Sequence, residues 1–117
     1  MTLPSFTEFS AISYSILSNP ALFQLMREFK STIQLEIIPL TTAEETEDIR
    51  NCIPNEKTIE KLITLGASHF SKHMTPETLY CASMAVGTII REYDWGWNFV
   101  SSAGVYEIAK RINSKTK

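Results

Sequence analysis

The sequence predicts an all-α protein: a single-domain antiparallel bundle of five to six helices spanning residues 1–117. Three observations predict it. Helix-start signals recur along the chain, apolar residues repeat behind them at three- and four-residue spacing, and the breaks between them are short. With 117 residues, 44% hydrophobic side chains, four Gly and five Pro, the chain can fill one core and lacks the bias of disordered sequence.

The first helix opens at Ser5-Phe6-Thr7-Glu8, where Ser5 and Glu8 have capping-box spacing, and it ends before Ser18-Asn19-Pro20. Asn19 caps the second helix, with Pro20 in the first turn, where a missing N–H costs nothing. Leu22, Phe23, Met26 and Phe29 form its expected apolar stripe. Residues 32–38 are ambiguous. Ile33, Leu35 and Ile37 alternate with Gln34 and Glu36 like a short half-buried strand, yet the second helix can equally continue. Helix is favoured, because no second strand offers itself as a partner, and Pro39 closes the segment.

Thr41-Thr42-Ala43-Glu44-Glu45 opens a third helix with two overlapping capping boxes, and Pro54 ends it. Glu44, Glu45, Glu47 and Asp48 crowd its first turns, where the helix dipole favours negative charge. The fourth helix aligns Ile59, Leu62, Ile63, Ala67, Phe70 and Met74, passing through Gly66 in phase. Thr75-Pro76-Glu77 caps the fifth, whose seam is Leu79, Ala82, Val86, Ile89 and Tyr93. Asp94-Trp95-Gly96-Trp97-Asn98 reads as a turn. The last helix is expected from about Phe99 to Ile112, with a basic frayed tail at 113–117.

Composition excludes more than it selects. The formal net charge is −2, so no global field attracts nucleic acid or an anionic membrane. No window has the apolar length of a membrane span. The Met1-Thr2-Leu3-Pro4-Ser5 start has no basic region, so the chain as given reads as cytoplasmic, with a periplasmic mature form as the alternative.

Neither catalysis nor a cofactor is expected. His69 and His73 are one helical turn apart, but no third ligand accompanies them, so no metal is expected. No phosphate-binding glycine loop is present. Cys52 and Cys81 read as buried thiols or as one bridge between helices; Cys81 lies in the small-residue run Cys81-Ala82-Ser83-Met84-Ala85, which suits close packing. Glu44, Glu45, Glu47 and Asp48 are either a solvated face or a surface for a basic partner. Asp94, Trp95 and Trp97 offer interface anchors, or a plug for the end of the bundle. The alternative to protein binding is a small nucleic-acid-binding regulator using Lys110, Arg111, Lys115 and Lys117, although Lys110 falls where a recognition helix needs an apolar residue.

From Cys52 onward the chain resembles the immunity proteins that protect bacteria from type VI secretion peptidoglycan amidases, the Rap/Tai family. Cys52-Ile53-Pro54, Thr58, Leu62, Phe70, Pro76-Glu77 and the small-residue stretch from Ala82 through Val86 to Ile90 carry the resemblance, about a third of the chain. Phe9 and Tyr14 add a fainter likeness in the first helix, where Ser10 or Ala11 stands in place of an expected cysteine. The resemblance implies a homodimer that binds a secreted amidase effector and inhibits it sterically, with a loop or helix end over the partner's active site.

Overall fold

The structure is a computed structural model that describes residues 3–51, 53, 55–71, 74–92 and 101–116. Six α-helices are formed among these residues: α1 Phe6–Leu17, α2 Pro20–Thr32, α3 Ala43–Arg50, α4 Glu56–Phe70, α5 Pro76–Glu92 and α6 Ser102–Lys115. They make the expected helical bundle, with no strand among the described residues.

The caps show why the helices begin where they do. Ser5 Oγ accepts from the Glu8 N–H at 3.3 Å, and Asn19 Oδ1 accepts from Ala21 at 3.0 Å. The two candidate boxes before α3 resolve in favour of Thr42 and Glu45: the Glu45 N–H donates to Thr42 Oγ1 at 3.2 Å, and the Thr42 N–H donates to Glu45 at 2.7 Å. Asn55, unread in the sequence, caps α4 by accepting from Lys57 and Thr58. Ser101 caps α6, so that helix starts at Ser102 rather than near Phe99.

α5 is the axis of the core. Leu79, Tyr80, Cys81, Ala82, Ser83, Ala85, Val86, Gly87, Ile89 and Ile90 are all buried, which takes in most of its circumference. Small side chains at positions 81–83 and 85 let α2 and α6, its most extensive neighbours, approach closely. Ser83 is fully buried and donates to the Leu79 carbonyl at 2.6 Å, which satisfies its hydroxyl inside the core. α4 buries Ile59, Leu62, Ile63, Ala67 and Phe70 as its phase predicts, and Phe70 packs on Phe29 of α2 with ring centroids 4.3 Å apart. At the opposite end Phe9 meets Tyr80 and Tyr106, and the Tyr106 hydroxyl donates to the Pro4 carbonyl at 3.2 Å.

Residues 32–38 are helical, the favoured reading, and the strand alternative falls: α2 runs into a π-helical turn at Ile33–Ile37 and a 3-10 turn at Ile38–Leu40. The strand pattern required Leu35 to share a face with Ile33 and Ile37. Both isoleucines are buried while Leu35 is 74% exposed, which is the helical period. Phe23 leaves the α2 stripe and is 46% exposed, because it sits about 100° around the helix from Leu22. α6 runs to Lys115, past the end expected near Ile112, with Ser114 donating to the Arg111 carbonyl and Lys115 lying 4.0 Å from Glu60.

Candidate functional site

The acidic stretch divides. Glu44 and Glu47 are exposed on α3, and Glu47 accepts from its own-helix neighbour Asn51 at 3.1 Å. Glu45 turns toward α4 and takes a bond from Lys61 Nζ at 2.7 Å. Partial burial opposes ionisation of Glu45, but the donors Lys61 and Thr42 outweigh it and hold the carboxyl below its ordinary value. Asp48 accepts from Asn55 Nδ2 at 3.0 Å, so it serves the cap of α4. Of the four acids, Glu44 and Glu47 are exposed and Glu45 and Asp48 are half-buried.

The basic end is locally balanced. Arg111 reaches Glu56 at 2.7 Å and Glu60 at 3.2 Å across the α4–α6 seam, and Lys110 pairs with Glu107 at 2.9 Å while lying over the Tyr106 ring. Lys117 lies outside the described residues, as do Cys52, Pro54, His73, Asp94, Trp95 and Trp97.

Cys81 is a free thiol with no exposed surface, and its Sγ lies 3.4 Å from the Leu22 carbonyl. Burial, reinforced by the Glu77 carboxylate, pushes the thiol up to about 11, far from the range of a reactive cysteine. His69 is exposed beside Phe70, with Nε2 3.9 Å from Glu36. Among the described residues no group of three or more His, Cys, Asp or Glu side chains could hold a metal ion. None of the described helices is long and apolar enough to cross a membrane.

What the sequence reading missed is an apolar surface at the α1–α2 corner. Tyr14 is 75% and Leu17 71% exposed, one turn apart on α1, and Phe23 stands across the corner on α2. Leu17 and Phe23 help line a small recess together with Ile16, Met26, Tyr80, Cys81 and Met84. Its volume of about 30 Å³ is an order of magnitude below that of a metabolite site. The signal was present in the sequence. With Phe9, Ser13 and Ile16 on the buried face of α1, Tyr14 and Leu17 fall outside that arc.

No family model, no curated protein and no solved structure matches this chain.

Proposed function

We propose that this chain is a non-enzymatic protein-binding protein that neutralises a partner, and, following its resemblance to the Rap/Tai family, that the partner is a secreted peptidoglycan amidase effector bound by a homodimer. One observation carries the reading. Tyr14, Leu17 and Phe23 place large apolar side chains in water around a recess too small for a metabolite, and such a surface is explained by another macromolecule. The remaining groups support binding over catalysis: Cys81 is buried and protonated, and the carboxylate nearest His69 among the described residues, Glu36, is 3.9 Å away.

In this reading Tyr14, Leu17 and Phe23 supply contact area. The exposed carboxylates Glu44 and Glu47 speed encounter with a basic surface, an effect that weakens as salt is added. Asp94, Trp95 and Trp97 are assigned to further anchoring contacts.

The test is inhibition. Peptidoglycan hydrolysis by an amidase effector is followed with wild type, Leu17→Asp and Trp95→Ala/Trp97→Ala, alongside sedimentation of the mixture. Stoichiometric inhibition lost in Leu17→Asp, with folding intact, is the expected result. A wild-type protein that neither inhibits nor co-sediments with the effector overturns the amidase reading.

A further inference from the structure

Three of the side chains that line the recess at the α1–α2 corner carry sulfur: Met26 of α2, and Cys81 and Met84 of α5. Their meeting follows from helix spacing. Cys81 and Met84 are three residues apart on α5, so they share a face, and the Cys81 thiol donates to the Leu22 carbonyl at 3.4 Å. Met26 lies one turn beyond Leu22 on the same side of α2. Two of the chain's four methionines and the only cysteine among the described residues are thus gathered on one recess.

The chemistry of this lining is selective. Thioethers and thiols are polarisable donors that prefer soft cations, whereas carboxylates, carbonyls and water suit hard ones. The rest of the lining, Ile16, Leu17, Phe23 and Tyr80, offers no carboxylate and no imidazole. Charge narrows the choice further. One thiolate with two neutral thioethers cancels a single positive charge, so a monovalent ion sits in the apolar recess as part of a neutral group. A divalent ion such as zinc would leave one charge uncompensated there, and it would lack its usual fourth ligand. Size agrees: about 30 Å³ admits a monatomic ion and no metabolite.

We infer that Met26, Cys81 and Met84 form a binding site for a soft monovalent metal cation of the Cu(I) and Ag(I) class. This goes beyond the protein-binding reading and does not depend on it. The step is an exchange without electron transfer: the Cys81 S–H bond breaks, its proton leaves to solvent, and a metal–sulfur bond takes its place. The Leu22 carbonyl loses the thiol as a donor but keeps the Met26 N–H of its own helix. Met26 and Met84 are half-buried, and three rotatable bonds let each thioether turn onto the ion. Leu17 and Phe23 are exposed, so the recess meets solvent and gives the ion a path to a thiol that has no exposed surface of its own.

The probe is Ag(I), added as its nitrate in chloride-free buffer to the reduced full chain and to Cys52→Ser, in which Cys81 is the one thiol left. Native mass spectrometry counts the ions bound, competition with a chelator gives the affinity, and methionine methyl resonances report which thioethers respond. We expect one ion per chain in Cys52→Ser with the helical circular dichroism retained. The methyls of Met26 and Met84 should shift while those of Met1 and Met74 stay in place. Adding Met26→Leu/Met84→Leu to Cys52→Ser keeps the side-chain volumes and the Cys81 thiol but removes both thioethers. Affinity should then fall by about tenfold or more, the scale on which even outer-shell partners of a metal act. Zn(II) should not displace the ion. Failure to retain Ag(I) overturns the inference. So do unshifted Met26 and Met84 methyls or an undiminished affinity without the thioethers, either of which would mean an ordinary thiol adduct. Zn(II) binding as tightly as Ag(I) overturns the selectivity on which the site is argued. Binding accompanied by loss of the helical signal also overturns it, because the ion would then be meeting Cys81 in the unfolded chain.

Discussion

Asp48 accepts a hydrogen bond from Asn55 Nδ2 at 3.0 Å, which ties the last turns of α3 to the residue that caps α4. The same Asn55 uses its Oδ1 to receive the Lys57 N–H at 3.0 Å, so both ends of one amide are committed. An acid that the sequence leaves open as solvated face or partner surface thus works as a brace between two helices.

Asp48→Ala is therefore expected to destabilise the fold by about 1 kcal/mol, the scale of a lost cap. Glu44→Gln, on an exposed side chain without a partner among the described residues, should be nearly silent. Urea unfolding of both variants checks this, and equal effects would deny Asp48 its bracing role.

Glu45 gives a pH signature. Its folded carboxyl titrates below the ordinary value of 4.5, so its contribution is present above that pH and is lost as pH falls through the lower folded value. Glu45→Gln should flatten the acid limb of a stability-against-pH curve and leave the neutral-to-alkaline limb as it was. An unchanged acid limb would show that Lys61 and Thr42 do not stabilise the carboxylate.

Cys81 gives the opposite signature. With the thiol raised from 9.0 to about 11, the folded state holds its proton longer than the unfolded chain. Its contribution is complete below pH 9 and declines between 9 and about 11. Native protein at neutral pH should leave Cys81 unreacted with a thiol reagent on the timescale that labels it fully in denaturant. Equal rates would mean that the α2–α5 seam opens readily at Leu22.

Gly66 lies inside α4, and an added Cβ would meet no atom within 4 Å. Gly66→Ala is expected to stabilise the protein by about 0.5–1 kcal/mol, since it restricts the unfolded chain and costs no space. A fall in the thermal midpoint would contradict that open geometry.

The bundle was legible because its signals are local. Ser5, Asn19, Thr42 and Thr75 mark helix starts by side chains that bond within three residues, and the α4 stripe keeps phase through Phe70. Apolar alternation at Ile33, Leu35 and Ile37 was ambiguous because a few apolar positions satisfy both periods until burial selects one. The surface was hardest to read, since exposure is a tertiary property. Nothing adjacent in sequence tells Phe23 from Leu22, and Glu45 and Asp48 resemble Glu44 and Glu47 until Lys61 and Asn55 arrive from the next helix.

At the end of α2, the Ile38 N–H donates to the Ile33 carbonyl, a ring one residue wider than an α-turn. That extra residue is slack in the chain's length. Elsewhere in these helices, excising one residue would swing everything downstream by about 100° and turn the core face outward. Between Ile33 and Ile38, losing Gln34 or Leu35 would convert the wide ring to an ordinary α-turn, with Ile33 and the following isoleucine still facing inward. This short stretch is where the protein can tolerate a shorter gene product.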